Sequence, residues 1–268
     1  MSVLLFYKIA ITMLAVLGLS FVAEKISPRL AGLLSGYPIG TAIILHFYGL
    51  EYGTKFAANA AIFNLCGLLA SQCFAYAYYR ISLKTESVAL PSLVALSAYL
   101  LAALVISQTA PDRNAAVAIA VIATALFCIL MRTSRATVAT VTRPWSLKLV
   151  AGRLVFTAVL VLTVTETANM VGTKWAGLFS AFPVALYPLV FLLHREHGPA
   201  PVRTILGNFP YGLWSVIAYA LTVSFAYPGF GVFPGTAIGF AVATLVLLTI
   251  NIRPMLIKYK RQAQEIQS

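Results

Sequence analysis

Few side chains in this chain can carry charge, and those inside apolar stretches define the chemistry open to it. Lys8 and Arg153 each stand near the start of a long apolar run. Such a base either reaches back to the membrane interface along its own stem, or guards one mouth of a central cavity and draws in an anion. Glu24 and Glu166 lie near the ends of runs. Desolvated, either could couple proton movement; in water or beside a base, each is an ordinary interfacial carboxylate. Asn59, Asn64, Gln72 and Asn208 are neutral polar groups within runs, suited to line a polar path or to bond a neighbouring helix. His194 and His197 in "HREHG" have a metal-like spacing. Their loop is short and basic and no further ligand cluster accompanies it, so a solvated turn is expected and no metal site. Cys66, Cys73 and Cys128 fall inside apolar runs as inert thiols. The chain carries no G-x-S-x-G, H-E-x-x-H or phosphate-loop motif, and its carboxylates are dispersed. No catalytic residue, cofactor or enzymatic activity is therefore expected.

Two stretches position these groups and read almost alike: "AGLLSGYPIG" (Ala31 to Gly40) and "AGLFSAFPVA" (Ala176 to Ala185), 145 residues apart with five of ten positions identical. Each puts a proline, Pro38 or Pro183, inside an apolar run. A proline in a helix removes one N–H and clashes with the carbonyl four residues back, here Leu34 or Phe179. The freed carbonyl needs a partner that lipid does not offer. Paired Pro-interrupted spans in two halves of a chain point to a transporter's binding site, where Ser35 and Ser180, one turn earlier, could hold a ligand. The same stretches carry Gly32, Gly36 and Gly40, repeated as Gly177, Ala181 and Ala185. Such a small-residue stripe also serves as a plain packing seam, with the two serines satisfying local carbonyls.

The elements that carry the stretches follow from composition. Of 268 residues, 60% are hydrophobic and 10% charged, against about a quarter charged in a soluble domain. Nine apolar runs near spanning length occupy 3–23, 30–50, 56–79, 88–108, 114–131, 149–170, 175–194, 203–226 and 232–252. The expectation is an all-α polytopic membrane protein. The net charge of +12 belongs to loops rather than to a nucleic-acid surface. With the N-terminus outside, inner loops and tail hold Lys25, Arg29, Arg80, Lys84, Arg132, Arg135, Arg143, Lys148, Arg195, Arg203, Arg253, Lys258, Lys260 and Arg261. Outer loops hold only Lys55, Arg113 and Lys174. That bias predicts a cytoplasmic C-terminus. No basic region precedes the first run and "FVAEK" is a poor cleavage site, so the first run is expected to be a retained span. Tyr76, Tyr78 and Tyr79 beside Arg80 read as an interfacial belt.

The offset of 145 also carries Lys8 onto Arg153, Glu51 onto Glu196, Gly53 onto Gly198 and Gly67 onto Gly212. Spans 1–3 thus match spans 6–8, span 4 falls on span 9 by position, and span 5 has no partner. A four-span unit begins and ends on one side of the membrane, so one extra span inverts the second copy. The expected organisation is repeat 1 over 1–110, a linker span and basic loop over 111–148, an inverted repeat 2 over 149–253, and a basic tail over 254–268.

"KWAGLFSAFPVALYPLVFLLHREHG" followed by "RTILGNFPYGLWSVIAYAL" resembles the GlpM-like family of small four-span bacterial inner-membrane proteins. "RLAGLLSGYPIGTAIILHFYG" with Lys8 resembles it less closely. The resemblance implies two GlpM-like units fused through span 5, in a bacterial inner membrane. A family member is a single unit, whereas this chain is a duplication.

These features together predict a small inverted-repeat transporter or flippase. It would pass an anionic metabolite or lipid-linked anion by alternating access around the two Pro-broken spans. The anion follows from the basic in-span residues and from half-helix N-termini near the membrane centre. The substrate-binding candidates are Ser35, Pro38, Ser180, Pro183, Lys8, Arg153, Asn64 and Asn208; the coupling candidates are Glu24 and Glu166. The expected partners are the bilayer and a small anion, without nucleic acid, and a homodimer is compatible with the pattern. A non-transporting scaffold subunit of an envelope-biosynthesis complex, or a passive channel, are the alternatives.

Overall fold

A computed structural model describes residues 6–8, 10–14, 18, 28–132 and 147–267, with backbone alone for 28, 29, 147–150, 153, 169 and 251–267. The described residues form helices joined by short turns, with no strand among them. After a helical segment at 6–14, the helices are α1 (Pro28–Ser35), α2 (Ile39–Tyr52), α3 (Thr54–Ser82), α4 (Ala89–Ser107), α5 (Arg113–Leu130), α6 (Leu147–Ser180), α7 (Leu186–His197), α8 (Pro199–Phe230) and α9 (Val232–Gln267). The chain is an all-α polytopic membrane protein. Among the described residues, six segments are long and apolar enough to cross a bilayer: Leu30–Tyr52, Thr54–Ser82, Ala89–Ser107, Arg113–Leu130, Pro199–Phe230 and Val232–Ile250. The expected first span falls largely outside the described residues. Runs six and seven correspond to α6 and α7, where Gly172 (φ 72°) and the Pro183 break interrupt the helix.

Burial sorts the spans radially. The windows of Leu30–Tyr52, α3 and α8 are 72%, 67% and 67% buried, against 33%, 28% and 17% for α4, α5 and the span of α9. The outer helices present Leu101, Val105, Ile122, Ile129 and Leu245 outward, as a lipid-facing surface requires. Linker helix α5 packs against both α3 and α8. Gln72 Nε2 donates to Thr124 Oγ1 of α5 (3.2 Å), and Tyr211 Oη to the Cys128 carbonyl (3.0 Å).

The duplication is visible in the backbone. Single glycines turn α2 into α3 and α7 into α8: Gly53 (φ 90°) and Gly198 (φ 75°). Both lie in a region that side chains with a Cβ rarely adopt, so the corner demands glycine twice. The repeats are related by exchange. Gly32 packs on Ile205 and Asn208; Gly177 packs on Ala60 and Phe63. Gly36 packs on Gly212; Ala181 packs on Gly67. Adding 145 to one partner and subtracting it from the other converts each contact into its mate, the signature of a two-fold interface. The axis passes by Gly40 and Ala185, which are equivalent to each other and in near contact.

Directions complete the geometry. Along the α2 side, Gly40 meets Val184, Thr41 meets the Ser180 carbonyl and Tyr48 meets the Ala176 carbonyl. One number rises as the other falls, so equivalent segments run antiparallel. The two-fold axis is thus perpendicular to the helices, and the repeats are inverted.

Candidate functional site

The two breaks have the same hydrogen-bond pattern. In the first, the Gly36 N–H reaches the Gly32 and Leu33 carbonyls (3.2 and 3.2 Å), Tyr37 N–H reaches Leu34 (3.1 Å), Ile39 N–H reaches Tyr37 (2.7 Å) and Ala42 N–H reaches Pro38 (2.7 Å). In the second, Ala181 reaches Gly177 and Leu178 (3.3 and 3.1 Å), Phe182 reaches Phe179 (3.0 Å), Val184 reaches Phe182 (2.7 Å) and Tyr187 reaches Pro183 (2.8 Å). Every bond recurs at the offset of 145 within 0.1 Å. This corrects the expectation for the freed carbonyls. Leu34 and Phe179 are satisfied by a tightened turn, whereas the Gly36 and Ala181 oxygens lose their helical partners. Ser71 Oγ of the opposite repeat donates to the Ala181 oxygen. Ser215 Oγ donates to the Gly212 carbonyl of its own helix (2.6 Å) and lies 3.5 Å from the Gly36 oxygen. These serines occupy adjacent rather than equivalent positions, since 71 corresponds to 216. Neither was singled out from sequence, because a serine in an apolar helix gives no sign of which neighbour it meets.

Side chains around the breaks depart from the symmetry. Ser180 is buried, donates to the Gly177 carbonyl (2.7 Å) and accepts from Asn64 Nδ2 (2.8 Å). Its counterpart Ser35 is buried with no hydrogen-bond partner on Oγ. Phe209 stands where the symmetry would repeat Asn64. Asn208 is fully buried, donates to the Thr204 carbonyl (2.8 Å) and has no partner on Oδ1; its counterpart is Phe63. A void of about 20 Å³ separates the breaks, lined by Ser35, Gly40, Thr41, Phe182, Pro183 and Ala185 among others. That volume holds about one water molecule. The structure thus brings Ser35, Ser180, Pro183 and Asn64 to one seam, with Pro38 in its first break and Asn208 beside Gly32.

Lys8 lies elsewhere, at one end of the bundle. Its side chain is 1% exposed, which excludes the snorkelling arrangement. Nζ is 2.6 Å from Glu51 Oε1, 2.9 Å from Glu166 Oε1 and 3.1 Å from Thr165 Oγ1. Glu51 is 16% exposed and Glu166 65%. With two carboxylates on one ammonium, Lys8 has no uncompensated positive charge for a substrate anion. Lys8 and Glu166 therefore belong to one ion cluster, apart from the seam. Glu51 was missed as the partner, although Lys8–Glu51 and Arg153–Glu196 keep the same separation in both halves (51 − 8 = 196 − 153 = 43). Glu24 lies outside the described residues, as does the Arg153 side chain.

The opposite end carries two further corrections. His194 is buried, 2% exposed, with Nδ1 3.0 Å from Tyr78 Oη, so it is not part of a solvated turn. Tyr78, fully buried, is not part of an interfacial belt, whereas Tyr76 stacks beneath Arg80. No group of three or more potential metal ligands occurs among the described residues. Cys66, Cys73 and Cys128 form no disulfide; Cys66 is buried and the other two are partly buried.

No family model, no curated protein and no solved structure matches the chain.

Proposed function

We propose that this chain is a small inverted-repeat transporter or flippase that works by alternating access around the α1–α2 and α6–α7 breaks. The observation that carries the reading is the pair of matching breaks meeting across a two-fold axis, perpendicular to the helices, at Gly40 and Ala185. Two broken helices crossing at a pseudo-symmetry axis form a hinge on which one repeat can rock against the other. An anionic metabolite or lipid-linked anion remains the preferred substrate class. Its support is the two half-helix N-termini, of α2 and α7, which begin beside the axis with their positive dipole ends. The water-sized void corresponds to a state closed at the seam. Two fused GlpM-like units in a bacterial inner membrane, with the N-terminus outside, the C-terminus cytoplasmic and no enzymatic activity, complete the proposal.

The test is water access. Cys66, Cys73 and Cys128 are replaced by Ala, single cysteines are placed at Ser35 or Ser180, and each is labelled from either side with an impermeant thiol reagent. Alternating access gives labelling at both positions, with sidedness that a transported anion changes. A folded protein that labels at neither position is a dry helix seam. That outcome favours the scaffold reading, which the direct glycine-to-backbone packing supports.

A further inference from the structure

A second cavity, of about 270 Å³, opens on the flank of α2 between the N-terminal helical segment and α9. Tyr7, Ile11, Ala42, His46, Thr236 and Phe240 contribute to its wall. Nearly everything lining it is hydrocarbon or aromatic ring; the polar groups on the lining residues are the His46 imidazole and the Thr236 and Tyr7 hydroxyls. His46 is 7% exposed and its Nε2 has no partner. Its other nitrogen, Nδ1, lies 3.0 Å from Thr236 Oγ1, which in turn lies 2.8 Å from Tyr227 Oη.

A threonine hydroxyl donates once. Tyr227 to Thr236 to Nδ1, or Nδ1 to Thr236 to Tyr227, makes two hydrogen bonds in either direction. In the first direction Nε2 carries an N–H without a partner; in the second it presents a lone pair. An incoming group that can only accept selects the first, in which the cavity offers it the Nε2 N–H on a mostly apolar wall.

The second repeat shows what this space looks like when filled. Ile11, Ala42 and His46 correspond to Phe156, Tyr187 and Phe191. Those three rings pack on one another, with centroids 5.3 Å apart for Phe156–Tyr187, 5.9 Å for Phe156–Phe191 and 6.0 Å for Tyr187–Phe191. The first repeat has replaced an aromatic plug by a cavity and a donor. The flank around the mouth faces lipid: Phe6 and Phe233 are 74% and 62% exposed, and Phe233 packs edge-on against His46. His46 precedes Glu51 by five residues, so it lies about 7.5 Å along the helix from the Lys8 ion cluster. With that cluster among the headgroups, this depth is close to the boundary between headgroups and hydrocarbon. Acyl ester carbonyls lie there.

We propose that this cavity is a lateral lipid site, taking one acyl chain of a bilayer glycerolipid with its ester carbonyl accepting from His46 Nε2. It lies off the seam, so it stands apart from the transport reading. The full chain in lipid nanodiscs is irradiated with a trace of phosphatidylglycerol carrying a diazirine in one acyl chain, and adducts are mapped by peptide. The expected adducts concentrate around Ile43–Phe47 and Thr236–Phe240. Ala42→Tyr with His46→Phe copies the second repeat and should abolish that concentration. An ether-linked analogue should label about fivefold less than the ester, the value of one hydrogen bond of about 1 kcal/mol. Thr236→Val, which keeps the cavity, should reduce that ester preference while labelling persists. Adducts spread evenly over the lipid-facing helices would overturn the site, as would equal labelling of a folded filled variant. Ester and ether lipids labelling alike, or free diazirine fatty acid outcompeting the ester, would overturn the glycerolipid assignment.

Discussion

An alanine at position 67 would place its methyl carbon 2.7 Å from the Ala181 Cβ across the seam. Apolar carbons rest at about 3.5–4.0 Å, so the seam must open by about 1 Å or its side chains must leave their rotamers. Overpacking of this kind costs about 1–3 kcal/mol. The geometry also supplies the rescue. Ala181→Gly removes the clashing methyl, and the next atoms, the Leu178 oxygen at 3.2 Å and Cα at 3.3 Å, need a shift of only tenths of an ångström. Gly67→Ala with Ala181→Gly should therefore be more stable than the sum of the single changes by about 1 kcal/mol, a coupling that a double-mutant cycle resolves. Gly36→Ala is the harsher counterpart. Its methyl would meet backbone, the Phe209 oxygen at 2.5 Å and the Gly212 Cα at 2.8 Å, and no side-chain deletion relieves that. Unfolding of the purified protein in detergent, followed by tryptophan fluorescence, reads all four variants, since Trp175 and Trp214 pack against the core. Wild-type stability for Gly67→Ala, or a cycle additive within about 0.3 kcal/mol, would refute the close seam.

Lys8→Gln should cost about 3 kcal/mol in the same assay, because it strands the largely buried Glu51 carboxylate. Adding Glu51→Gln should recover most of that loss, while Glu166→Gln, at a 65% exposed position, should stay within about 1 kcal/mol. Ser71→Ala removes the donor to the Ala181 carbonyl and should cost about 1 kcal/mol, whereas Ser215→Ala, whose hydroxyl donates within its own helix to Gly212, should cost less. Tyr78→Phe leaves His194 Nδ1 unpaired in a buried setting and should cost about 1–3 kcal/mol, a loss that Tyr78→Phe with His194→Leu should reduce.

The helical membrane class, the offset of 145 and the places where α1 and α6 break were all legible from residue types. Each depends on local chemistry: apolar run length, a proline flanked by small residues, a glycine at a corner. The partners of Lys8, the serine that serves the Ala181 carbonyl, and the burial of Tyr78 and His194 were not. In a soluble helix, the polar face tells which side is buried. Here lipid and protein interior are equally apolar, so a span such as α3 gives no contrast between its faces. Without the face, Ser71 cannot be aimed at Ala181, nor Tyr78 at His194. The Lys8 cluster was within reach only because both halves preserve the spacing of a base and an acid. His46 and Thr236 gave no signal, since their meeting depends on how α9 lies across α2.

The unequal side chains around the equal backbone breaks have an energetic consequence. Two separate, identical antiparallel subunits would make the inward-open and outward-open arrangements equivalent by two-fold rotation and equal in free energy. Unequal side chains in the two repeats lift that identity. Asn64 bonds Ser180, while its two-fold equivalent is Phe209 and Ser35 Oγ is left unpaired. If the halves rock about the axis, one hydrogen bond of about 1 kcal/mol present in only one arrangement biases the resting population about fivefold. The side to which the empty protein defaults would then be written in three residues, Asn64, Ser180 and Phe209. Exchanging Asn64 and Phe209 would move the default toward the opposite side.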